Sequence, residues 1–152
     1  MKYIAFTIFL LCSKLAVAQV SPGKGTLDAK PQPWSSKQLI QPADLASMLK
    51  TPGPKTPHIF NIGVVDNIKG AKLVGAANTE LGRRQLKSAL ASLPRNSAVI
   101  IYCGCCPFDK CPNIRPSFAI MQQMGFVNGK LLNLPVNLKQ NWIDKGYPME
   151  RK

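Results

Sequence analysis

The chain has 152 residues, a hydrophobic share of 45% and a formal net charge of +13, with 20 basic residues against seven acidic ones. That length fits one domain with a core of its own, and the apolar share is ordinary for a globular protein. The basic residues are dispersed along the chain rather than gathered in one block, with no aromatic platform between them, which argues against nucleic acid as a target and favours small anions or an acidic partner.

The opening stretch "MKYIAFTIFLLCSKLAVAQ" carries Lys2, an apolar run from Tyr3 to Cys12 and the small-residue pattern Ala16-Val17-Ala18. The run is too short to span a bilayer and ends in an A-x-A site, so residues 1–18 are expected to be a secretory signal peptide. An exported protein, periplasmic or secreted, follows, with no membrane span in the mature chain and surroundings that oxidise thiols. Residues 19–36, "QVSPGKGTLDAKPQPWSS", have no apolar period and are expected to be a flexible lead-in to a domain over 37–150.

The first ordered element is expected to be a helix opened by Pro42, with Asp44 in its first turn. "HIFNIG" suits a strand buried on both faces, and "KLVGAAN" a second extended piece. From Thr79 to Leu93 a helix capped by Thr79 would align Leu81, Leu86, Leu90 and Leu93. "SAVIIY", Ser97–Tyr102, is the most strand-like stretch of the sequence. Pro116 suits the first position of a helix over "PSFAIMQQM", stopped by Gly125. "KLLNL" reads as a last strand before a helix around "NLKQNWIDKG", in which Leu138 and Trp142 face the core. Short buried strands alternating with helices predict an α/β domain with a mainly parallel sheet flanked by helices, whose ligand site lies beyond the carboxyl ends of the strands.

The chemistry concentrates in "YCGCCPFDKCPN", which follows the predicted central strand and holds four of the five cysteines. A thiol at a strand end, over backbone N–H groups and near a helix start, has its thiolate favoured, which makes Cys103 the candidate nucleophile. For Cys105, Cys106 and Cys111 the expectation is a disulfide or resolving role. Four cysteines allow three pairings; Cys106 with Cys111 would leave Cys103 and Cys105 as a redox pair, and a folded-back loop would instead bring Cys111 to Cys103. No metal is expected, because C-x-C-C-x4-C is unlike the usual zinc hooks; the less favoured alternative is zinc or copper(I) on Cys103, Cys105, Cys106 and Cys111. Gly104, Lys110, Asn113 and Arg115 are the candidate anion-binding residues, and Arg115 and Lys110 read equally as solvated charges. Asn61 is open between orienting this loop and capping its own turn.

From about Lys37 to Met149 the sequence resembles the rhodanese-like sulfurtransferases. "HIFNIG" sits at their first core strand, and "KGAKLVGAAN" resembles their glycine-to-alanine signature with Gly75 and Ala76 in its closing positions. "LPRNSAVIIYC" looks like the strand running into the catalytic cysteine, at Cys103. "MGFVNGKLLNLPVNLKQNWIDKGYPME" is similar to the closing strand and helix, with Trp142 and Gly146-Tyr147-Pro148. The resemblance implies a three-layer fold and a persulfide on Cys103, loaded from a small sulfur donor anion and passed to a thiol acceptor, with no cofactor. The chain departs from that pattern in several places. Phe108 takes the sixth loop position where a basic residue is usual, and Asn61, Val74 and Lys72 stand near the family's aspartate, proline and histidine. Pro135 and Val136 replace a glycine pair. The longer loop is expected not to wrap the thiol in a tight ring.

Overall fold

A computed structural model describes residues 31–54 and 56–151. The expected signal peptide, and the lead-in up to residue 30, lie outside the described residues. Ordered structure begins before the expected helix. A 3₁₀ turn over Ser36–Gln38, closed by a capping box between Ser35 and Gln38, leads into strand β1, Leu39–Ile40. Helix α1, Pro42–Lys50, has Pro42 at its start, where no N–H is required.

Strand β2, His58–Asn61, and strand β3, Ala71–Leu73, come next, then helix α2, Glu80–Ala91, whose Thr79 side chain accepts the Gly82 N–H at 3.0 Å. Leu86 and Leu90 are buried as expected, but Leu81 is exposed. Five residues turn a helix by about 140° beyond a full revolution, so position 81 lies off the face set by 86 and 90. Gly82 holds that face instead, and a Cβ there would come within 2.1 Å of the Ala76 carbonyl oxygen. Strand β4, Val99–Tyr102, is buried throughout.

Helix α3, Ile114–Gln123, starts two residues before Pro116, which therefore occupies its third position rather than its first. Strand β5, Gly129–Leu132, helix α4, Leu138–Asn141, and a 3₁₀ turn over Ile143–Lys145 complete the chain, with Gly146 in the left-handed region at φ 65°. Short as it is, α4 is fixed by Trp142, fully buried with its Nε1–H donating to the Pro148 carbonyl at 3.1 Å.

Among the described residues five strands form one sheet in the order β1-β5-β4-β2-β3, with every ladder parallel. Helices α2 and α3 cover one face, packing Leu86, Leu90, Ile114, Phe118 and Met121 against Phe60, Val99, Ile101 and Leu131. Helices α1 and α4 cover the other, packing Leu45, Leu49 and Leu138 against Ile59, Ile100, Tyr102 and Leu132. This is the three-layer α/β architecture that the sequence implies. Burial on both sides explains why the central strand β4 reads as an unbroken apolar run.

The residues from Gln32 onward form a single compact unit. Trp34, within the expected lead-in, packs edge-on against Phe108 at 5.2 Å and Phe118 at 5.6 Å, so the fold starts before residue 37. Among the described residues no helix is long and apolar enough to cross a membrane.

Candidate active site

Strand alternation places the nucleophile candidate. In β4, Val99 and Ile101 face helices α2 and α3, while Ile100 and Tyr102 face the opposite layer. Cys103 continues the first series and lies 2% exposed under α3. Strand β2 ends alongside. The Ile62 N–H donates to the Tyr102 carbonyl at 2.9 Å, and the chain then passes Gly63 directly across Cys103. A Cβ on Gly63 would come within 2.8 Å of both the Cys103 sulfur and its carbonyl oxygen, so only glycine leaves the thiol its place.

Asn61 holds that passage. Its Oδ1 accepts the Gly63 N–H at 3.0 Å, while its Nδ2 donates to the Val65 carbonyl at 2.8 Å and to Asn67 Oδ1 at 2.9 Å. It caps its own turn and thereby fixes the wall of the site, which joins the two roles left open in the sequence. Tyr102 tightens the same loop from the other face, accepting the Ile68 N–H at 3.0 Å and donating to the Asp66 carbonyl at 3.2 Å.

After Cys103 the chain turns through Gly104, at φ 79°, whose carbonyl accepts the Leu138 N–H at 2.9 Å. A Cβ on Gly104 would lie 2.7 Å from Leu138 Cβ, so this glycine serves both a left-handed turn and close packing. A 3₁₀ turn over Phe108–Lys110 then folds the loop back. The sulfurs of Cys103, Cys105 and Cys111 converge within 4.8 Å of one another, with Cys103 and Cys105 at 3.2 Å. Cys106 lies at the margin, 3.5 Å from Cys105, and all four cysteines are free thiols.

Helix α3 supplies the remaining contact through Asn113, just before its first residue. The Asn113 Oδ1 accepts the Asn78 N–H at 2.9 Å, which orients the amide so that Nδ2 donates to Cys103 Sγ at 3.2 Å. Side-chain donors thus join the backbone N–H of Cys105 at this sulfur. The Cys103 thiol is pulled down to about 5, mainly by the hydrogen bond from Cys111, against the opposing effect of burial, with the Cys105 backbone N–H and the Asn113 amide adding to it. One negative charge then suppresses its neighbours. Cys111 is raised above its ordinary value by donating to Cys103 and by burial, and Cys105 is pushed up to about 12 by burial and by the same thiolate.

The sequence-predicted residues separate. Cys103, Cys105, Cys111 and Asn113 come together, and Gly104 shapes the loop beside them. Lys110 is exposed on the 3₁₀ turn. Arg115 stacks over the Trp34 ring at 5.7 Å and donates to Gln32 Oε1 at 3.1 Å, contacts that tie the segment before β1 to α3. Sequence reading missed Gly63, although a glycine just past the end of a buried strand is a signal of close backbone approach. An open cavity of about 690 Å³ reaches the site from Cys105 and Gly104, bordered by Val64, Asp66, Lys139 and Ile143. A neighbouring one of about 480 Å³, sharing Asp66 and Ile143, contains no cysteine.

No family model matches the chain, and no curated protein matches it. Among solved structures, the crystal structure of SSP1007 from Staphylococcus saprophyticus subsp. saprophyticus, a structural genomics target, is similar over 75% of this chain and 99% of that one. The identity is 14% and the TM-score 0.45.

Proposed function

We propose that the protein carries sulfane sulfur as a persulfide on Cys103 and passes it to a thiol acceptor. The observation that carries this reading is the buried Cys103 sulfur at the end of β4, with the Asn113 amide and the Cys105 sulfur each 3.2 Å from it and Cys111 beside it, contacts that favour its thiolate. A thiolate is the attacking form of cysteine, and one formed well below neutral pH is also a good leaving group.

In the first step the Cys103 thiolate attacks the outer sulfur of a small anionic donor. The new S–S bond forms as the donor's own bond breaks, and the electron pair departs with the donor anion. In the second step an acceptor thiolate attacks the outer sulfur of the persulfide and returns Cys103 as thiolate. Neither step needs a cofactor or a proton relay, in keeping with a chain whose single histidine, His58, lies at the start of β2. The cavity beside Cys105 is the approach for both reactants, and the net positive charge favours an anion there.

A thiol–disulfide reading rests on the 3.2 Å between the Cys103 and Cys105 sulfurs. Intact-mass analysis separates the two. Treating reduced protein with thiosulfate should add about 32 Da at Cys103 and nothing in Cys103→Ser, whereas loss of about 2 Da without sulfur uptake is the disulfide outcome. Absence of added sulfur across a range of sulfane donors refutes the carrier reading.

A further inference from the structure

We propose that Cys103, Cys105 and Cys111 form a three-coordinate site for one copper(I) ion. Their sulfurs all lie within 4.8 Å of one another, with Cys103 and Cys105 3.2 Å apart. A metal–thiolate bond of ~2.3 Å sets the corners of a planar trigonal site ~4.0 Å apart, so Cys103 and Cys105 reach it by opening about 0.8 Å and no pair has to close by more than about 0.8 Å. Side-chain rotation supplies movements of that size without rebuilding the loop.

The donor set selects the ion. Among the described residues no fourth histidine, cysteine, aspartate or glutamate belongs to this group. Asn113, the other polar side chain on Cys103, turns its NH₂ toward the sulfur and offers no lone pair there. Zinc in a closed site takes four ligands in a tetrahedron, whereas three soft thiolates with no oxygen donor match copper(I). Burial works in the same direction. Cys103 and Cys111 are 2% and 5% exposed and sit in the apolar cluster with Phe108, Ile114 and Phe118, a wall that keeps water from the ion. Cys105, the exposed member, is where the ion enters and leaves. The ion displaces the thiol protons as it binds. This site stands independently of sulfur transfer, but the two occupants exclude each other because both use the Cys103 sulfur.

The test is an oxygen-free titration of the reduced full chain with copper(I) against a chromophoric copper(I) chelator, followed by X-ray absorption at the copper edge. The expected result is one ion per chain with three sulfur neighbours at ~2.3 Å, and zinc bound more weakly in a parallel titration. Cys105→Ser should weaken copper binding by more than the ~100-fold that loss of an outer-shell partner costs, while Cys106→Ser leaves it unchanged. Because Cys105 is exposed, its variant keeps the fold, and an unaltered circular dichroism spectrum separates ligand loss from unfolding. The assignment is overturned if the chelator strips all copper, if two or four sulfurs surround the ion, or if Cys106→Ser is as damaging as Cys105→Ser.

Discussion

The amide of Asn113, one residue before helix α3, reaches the sulfur of Cys103, one residue after strand β4, across 3.2 Å. The same side chain accepts the Asn78 N–H, so its orientation is set by the segment leading into α2. Asn113→Ala removes a neutral donor from the thiolate and should raise the Cys103 pKa by about one unit, worth about 1.4 kcal/mol. Peptide-mapped alkylation of Cys103 as a function of pH measures the shift. An unmoved profile would show that the amide serves Asn78 alone.

The three converging thiols make stability depend on pH in two opposing senses. Cys103 is held at about 5 against an ordinary value of 9.0. Its contribution is full above that ordinary value, shrinks as pH falls and is gone once the folded thiolate protonates near 5. Cys105 and Cys111 are raised, so their contribution is full below 9.0 and is lost as the pH rises above it. Under reducing conditions, urea midpoints should rise from about pH 5 toward 9 and fall beyond. Cys103→Ala should lack the rising part.

Gly63→Ala pushes a methyl into the Cys103 sulfur and carbonyl, each 2.8 Å away. Backbone has to move, at a cost of about 1–3 kcal/mol, and the shift falls on the reactive atom. Urea unfolding should show the loss of stability, and sulfur uptake should fall more steeply than it does for Gly53→Ala, where a Cβ meets nothing within 4 Å.

Tyr102→Phe leaves the Ile68 N–H without its phenol partner in a buried setting, which costs about 1–3 kcal/mol. Because that hydroxyl faces away from the sulfurs, the pH profile of Cys103 alkylation should keep its midpoint while the melting temperature drops.

Arg115→Ala should cost about 0.5–1 kcal/mol through its stacking on Trp34. Trp34 fluorescence and proteolysis before β1 should report a loosened segment. Unchanged sulfur uptake would confine Arg115 to that structural task, and a large fall would add donor binding to it.

Much of this was legible in local signals. Pro42, Thr79 and the run "VIIY" set α1, α2 and β4, because each acts through its own neighbours. β1 escaped notice because two residues have no period to read. Its strand character comes from lying beside β5, a partner distant in sequence. Pro116 misplaced the start of α3 because proline is tolerated throughout a first turn, where the N–H groups have no partner within the helix. Within the loop, spacing could name four sulfurs but not which three converge. That depends on the 3₁₀ turn at Phe108–Lys110 and on Phe108 packing under Trp34.

The strand order has a consequence for how the chain reaches this state. The earliest strand pairs with the last, and β4 lies between β5 and β2, so the sheet closes only after most of the chain is in hand. Parallel pairings of this kind form slowly. Until they do, four thiols within nine residues stand open to solvent. Refolding in air should therefore trap scrambled disulfides, and refolding yield should rise steeply with added reductant, since the closed sheet, once formed, buries Cys103 and Cys111 and leaves them open only through the cavity beside Cys105.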